Sequence, residues 1–232
     1  DKAVEEYKKF LAGNKKSTKA WNNLGASYLD CNKNDEAIRC LAKAKELELQ
    51  TKNPDEVILE SALSNKGEAF WQKFVEDKSL EDNKKFLDSF EQCLNELLKI
   101  NAKSYDGLYL KSGLLWMQDK NDEAIENNKN LVKLYPDTYE CWNLLGTSYD
   151  SDKPKEALKF FEEGIKIQPN ADLLWYNKAC MLSKMNKIDD ALDALLVAIS
   201  IAPENLSGLS EESDFDNIKN SERFKKFLTI QI

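Results

Sequence analysis

Histidine is missing from this sequence of 232 residues. Its absence removes the commonest general base at neutral pH, the Ser-His-Asp and Cys-His nucleophile pairs, and most catalytic zinc sites. Arginine is nearly missing too. Arg39 and Arg223 stand alone among 33 basic residues, so forked phosphate recognition has little to work with. Glycine, at 8 residues, and proline, at 5, are scarce. That argues against an all-β or loop-rich chain and towards helices. No run of about 18 apolar residues offers a membrane span, and no signal-peptide core is visible. The chain opens at Asp1 without an initiator methionine, which reads as a cut or processed piece.

What is present is a mixture of 42% hydrophobic and 32% charged residues, enough to bury a core beneath a solvated surface. The 41 acidic residues outnumber the basic ones for a net charge of −8, which argues against nucleic acid or an anionic membrane as partner. Cysteines at positions 31, 40, 93, 141 and 180 are odd in number, far apart and without a CxxC pair. Buried thiols in a reducing compartment are the reading, hence a cytoplasmic location, with no metal and no cofactor expected.

Self-similarity organises the chain. Trp21-Asn22-Asn23-Leu24-Gly25-Ala26-Ser27-Tyr28 and Trp142-Asn143-Leu144-Leu145-Gly146-Thr147-Ser148-Tyr149 share the spacing W-x2-L-G-x2-Y. A charged turn and an alanine follow each, at Ala37 and Ala157. Steps of 33 or 34 residues link Ala124, Ala157 and Ala191, then Pro136, Pro169 and Pro203, and also Trp142 and Trp175. On these coupled positions the chain resembles the tetratricopeptide repeat family. The resemblance implies an all-α, right-handed superhelical solenoid of antiparallel helix pairs in a single domain. The expected divisions are a second helix of a partial repeat at 1–17, repeats at 18–51, 105–138, 139–171 and 172–205, an extended irregular repeat at 52–104, and a C-terminal cap at 206–232.

The irregular repeat arises because 87 residues separate Ala37 from Ala124, 19 more than two steps of 34. Asn53-Pro54-Asp55-Glu56 reads as a helix start, with Asn53 as the cap and Pro54 in the first turn. A long helix from about Pro54 to Glu76 and a second from about Leu80 to Ile100 are expected. Gly25, Ser112, Gly146 and Ala179 are taken as the small residues that face Ala37, Ala124, Ala157 and Ala191. Trp21, Trp142 and Trp175, with Leu41 and Phe161, supply bulk between neighbouring pairs. At the C-terminus Phe215, Ile218, Phe224, Phe227 and Leu228 fall at helical spacing to cover the last repeat. The apolar tail Thr229–Ile232 packs back on that cap, or marks a truncation or an edge for self-association.

In the resembled family the first helices line a concave groove that holds a partner's peptide. Carried onto this sequence, the groove candidates are Asn22 in the first repeat, Glu68 and Trp71 in the second, and Asp106, Tyr109, Trp116 and Met117 in the third. Glu140 and Asn143 follow in the fourth and Tyr176 in the fifth, with Asp150, Ser151, Cys180, Ser183 and Lys184 also at groove positions. Trp71 and Trp116 stand out, since the fold has no evident need for indole there. Either they anchor an apolar side chain or the long second repeat covers them as local core. Asp30, Glu68, Asp106, Glu140 and Asp150 outnumber Lys19 and Lys184, which suits a basic or amphipathic peptide. The family's clamp for acidic chaperone tails does not fit: Asp106 and Leu110 stand where it needs basic residues, although Asn22 and Asn65 match its asparagines.

Adjacent carboxylates such as Asp189-Asp190 do not converge on one substrate atom, and no nucleophile or phosphate-loop motif accompanies them, so no catalysis is expected. The reading is a non-catalytic protein–protein interaction module whose groove receives a short segment of another protein. The alternatives are a homo-oligomeric scaffold using its terminal faces and the recognition arm of a larger enzyme.

Overall fold

The computed structural model of the chain describes residues 2–77, 79, 84–149, 153–203 and 213–229. These residues form α-helices and short turns, with no strand among them. The order is α1 (Lys2–Gly13), α2 (Thr18–Leu29), α3 (Asn34–Leu49), α4 (Glu56–Glu76), α5 (Lys84–Ile100), α6 (Tyr105–Met117), α7 (Asn121–Leu134), α8 (Tyr139–Thr147), α9 (Pro154–Ile167), α10 (Asp172–Lys184), α11 (Ile188–Ile201) and α12 (Glu222–Thr229). Helices α1–α6 belong to one compact unit, Asp1–Lys120, and α7–α12 to a second, Asn121–Ile232.

In the first unit each helix lies against the next in sequence, and α4 also touches α2 and α6. First helices of successive pairs therefore sit side by side. Helices α2, α6 and α10 all end in the same way. Asn32, Asp119 and Asn186 adopt left-handed φ values of 54°, 54° and 57°. The lysine that follows each, Lys33, Lys120 or Lys187, sends its N–H back 2.9 Å to the carbonyl of Tyr28, Leu115 or Leu182. This six-to-one closure satisfies a carbonyl that a helix end otherwise leaves open, and Asn and Asp tolerate the conformation better than other side chains.

Small residues do set the approach of paired helices, and at Gly25 and Gly146 the nearest groups are larger than the expected alanines. A Cβ on Gly25 would meet Leu41 Cγ at 2.5 Å, and one on Gly146 would meet the Phe161 ring at 2.4 Å. Leu41 and Phe161 thus press into the glycines from within the pair, while Ala37 and Ala157 lie buried one turn away on the same second helices. One helical turn carries both demands: a small residue where backbones approach and a large one where the glycine leaves room.

The start of α4 also shifts from the expected site. Asp55 is the cap, its carboxylate accepting from the N–H groups of Val57 at 2.9 Å and Ile58 at 3.4 Å. The Asp55 N–H is itself held at 2.9 Å by the carboxylate of buried Glu48, which leaves Asn53 and Pro54 ahead of the helix. Added length in α4 and α5 is supported by its own apolar contacts. Phe70, Phe74, Phe86 and Phe90 are buried together, with Phe70 centred 5.6 Å from both Phe86 and Phe90. Leu80 lies outside the described residues.

In the second unit, Phe215, Ile218 and Phe224 are fully buried with residues of α10 and α11 and cap the last pair. Arg223 fixes α12 by ion pairs to Asp189 and Asp193 on α11. The side chains of Phe227 and Leu228, and the tail beyond Thr229, lie outside what is described.

Gly146→Ala should destabilise the chain by about 1–3 kcal/mol through overpacking against Phe161, although alanine is the better helix former. Gly13→Ala, with nothing within 4 Å of the added Cβ, should be neutral or slightly stabilising. Urea unfolding midpoints of the two variants test the contrast.

Candidate peptide-binding face

The signature tryptophans are structural. The indole N–H of Trp21 donates to the Lys15 carbonyl at 2.8 Å, that of Trp142 to Pro136 at 2.7 Å and that of Trp175 to Pro169 at 2.8 Å. Each ring ties a first helix to the turn that leads into it, so the N–H is satisfied within the fold.

Helices α2, α4 and α6 carry seven of the sequence candidates. Polar side chains cross between the helices. The Asn22 amide donates to Ser61 Oγ at 3.1 Å, and Ser64 Oγ donates to Asp106 Oδ2 at 2.5 Å. Glu68 accepts from Gln72 Nε2 at 3.1 Å, one turn along α4. Asp30 and Asp106 are exposed and Glu68 is half-buried, against the exposed Lys19. The face is anionic.

Its aromatic groups run along α6. Tyr105 stacks on Tyr109 with centroids 5.7 Å apart. One turn on, Gly113 seats the half-buried indole of Trp71 from α4, so closely that a Cβ would lie 2.4 Å from the ring. Trp116, a further turn along, is 58% exposed. The structure therefore separates the two tryptophans: Trp116 stands in solvent, while Trp71 rests on the core cluster and lies 5.8 Å from Phe74. Met117 is corrected outright. It is 4% exposed and belongs to the same buried cluster as Phe70, Phe74, Phe86 and Phe90, so it is core and offers nothing to a ligand.

The second unit carries the other three candidates. Glu140 is half-buried on α8. Asn143 accepts from the Asn177 amide at 2.7 Å, a link between α8 and α10. Tyr176 meets Phe215 edge-on at 5.7 Å. The C-terminal segment covers its surroundings as well. Cys180 and Ser183 are buried, the Ser183 carbonyl accepts from Asn217 at 3.1 Å, and Lys184 pairs with Asp214 at 3.1 Å. Tyr176 is thus engaged by the cap. Asp150 and Ser151 lie outside the described residues.

The seat for Trp71 was not legible as such. Gly113 occupies a mid-helix position where the other repeats carry Ala26, Glu68, Thr147 and Cys180, and a mid-helix glycine is the signal that another group approaches closely.

Among the described residues no three His, Cys, Asp or Glu side chains are grouped to hold a metal ion, and no helix is long and apolar enough to cross a membrane. Burial pushes the thiols of Cys40, Cys93 and Cys141 up to about 11, so they stay protonated and unreactive at neutral pH. Iodoacetamide at about pH 8 should modify the half-exposed Cys31 first and reach Cys40, Cys93, Cys141 and Cys180 only on unfolding. Peptide mapping by mass spectrometry reads the order.

A family model described as tetratricopeptide repeat matches residues 18–51 and 173–205. No curated protein matches the sequence. Among solved structures, PilF of Pseudomonas aeruginosa aligns with 94% of this chain and 99% of its own at 18% identity, with a TM-score of 0.65. MamA of Desulfovibrio magneticus RS-1 aligns over 81% of this chain and 96% of its own, at 18% identity and a TM-score of 0.61. YrrB, described as a tetratricopeptide repeat protein with an unusual peptide-binding site, aligns over 88% and 95% at 19% identity, with a TM-score of 0.57. The chain carries tetratricopeptide repeats at 18–51 and 173–205 and has the fold of proteins built from them.

Proposed function

We propose that this chain is a non-catalytic interaction scaffold that binds a short basic or amphipathic segment of another protein on the α2–α4–α6 face. The observation that carries the reading is Trp116, a large indole held in solvent beside an anionic surface. Indole left exposed costs apolar hydration, and the contacts within its own helix give no reason for it. Trp116 with Tyr109 and the edge of Trp71 offers a platform for one bulky apolar side chain. Asp30, Glu68 and Asp106 around that platform favour Lys or Arg on the same segment, steering encounter and excluding acidic competitors. YrrB has a described peptide-binding site on this fold, which supports the class of function.

Panning random peptides against the wild-type chain should enrich segments that combine Lys or Arg with a bulky apolar residue. Trp116→Ala should weaken their binding by at least about tenfold, as loss of a hot-spot aromatic does. Its unfolding midpoint should stay near wild type, because the side chain is largely exposed. Asp106→Lys should weaken binding further at low salt. Enrichment of acidic segments, or unaltered binding by Trp116→Ala, would refute the reading.

A further inference from the structure

A second surface carries the opposite charge. Helices α1, α2 and α3 enclose an open slot of about 410 Å³. Its apolar floor is Leu11 and Ala12 from α1 with Trp21 and Leu24 from α2. Lys8, Lys15 and Lys43 form its rim, and no carboxylate lines it. Lys8 and Lys43 pair with Glu5 at 3.3 Å and Glu46 at 2.9 Å, each on its own helix and open to water, where such pairs are readily exchanged. Residues 1–52 hold 11 basic side chains against 8 acidic ones, in a chain whose net charge is −8. The slot is thus the apolar centre of a net basic stretch of an acidic protein.

We propose that this slot is a separate docking site for an acidic peptide segment bearing a bulky apolar side chain. The side chain enters beside Trp21, and flanking carboxylates pair with Lys8, Lys15 and Lys43. Charge complementarity selects this occupant: a basic segment suited to the α2–α4–α6 face is repelled here. The two sites take ligands of opposite sign, so the scaffold brings together two different partners.

The test uses the full chain and two acetylated six-residue probes, each a Phe-Leu pair flanked on both sides by two glutamates in one and by two lysines in the other. The readout is the indole N–H resonance of Trp21. The glutamate probe should shift it in a saturable way, and the shift should weaken several-fold as sodium chloride rises from about 50 to about 500 mM. The lysine probe should leave it unmoved. Lys15→Glu with Lys43→Glu, both on the surface, should lower affinity for the glutamate probe by about tenfold or more. Ala12→Trp, at an exposed residue of the slot lining, should abolish the shift by filling the slot, with circular dichroism confirming the fold. No saturable shift, equal response to both probes, or full binding by the double variant would overturn the proposal. Light scattering showing a dimer that Ala12→Trp or the lysine variant dissolves would also overturn it, assigning the slot to a second copy.

Discussion

Close approach of two helices, set by a glycine on one and a large apolar side chain on the other, is the constraint on which the remainder of this structure rests. Gly25 accepts Leu41 and Gly146 accepts Phe161 at distances that leave no space for a methyl group. With that spacing fixed, the first helices come side by side in the first unit, and only then do Asn22 and Ser61, or Ser64 and Asp106, reach one another. The anionic face follows from backbone proximity buried beneath it. Repeated helix pairs of this kind draw their stability from neighbours, so local geometry at one glycine is felt at the surface next to it.

The same use of close contact produces the aromatic face. Gly113 lets the Trp71 ring lie against α6, and that arrangement leaves the exposed Trp116 one turn away as the available indole. A single pattern, a ring seated on a glycine, builds the interior of the Gly146–Phe161 pair and prepares a surface at Gly113. What differs is only whether the ring's other side meets core or water.

The parts of the fold legible in the sequence are those where a residue answers to a neighbour at fixed spacing. Trp21, Trp142 and Trp175 could be read as structural from their shared motif and spacing, to which the structure adds the carbonyl six residues earlier that each indole meets and the left-handed turns at Asn32, Asp119 and Asn186. Reading failed where contacts come from outside the repeat. Met117 lost its place on the face because the lengthened α4 and α5 bring four phenylalanines that no repeat template contains. Tyr176 is engaged by Phe215, which arrives from beyond the last pair. Asn53 gave way to Asp55 because Glu48, seven residues upstream, holds the Asp55 N–H. Helical periodicity carries no information on such meetings.

The tryptophan hydrogen bonds bear on where a transferable module begins. The acceptors Lys15, Pro136 and Pro169 each lie three residues before the helix starts Thr18, Tyr139 and Asp172. The boundary by which the repeats are counted therefore cuts through a bond. A segment excised at its first helix would carry an indole N–H stripped of its acceptor, and grafting it would depend on the recipient chain to supply a carbonyl at the same place. The physical module starts in the turn before the motif and hands its own last turn on to the next.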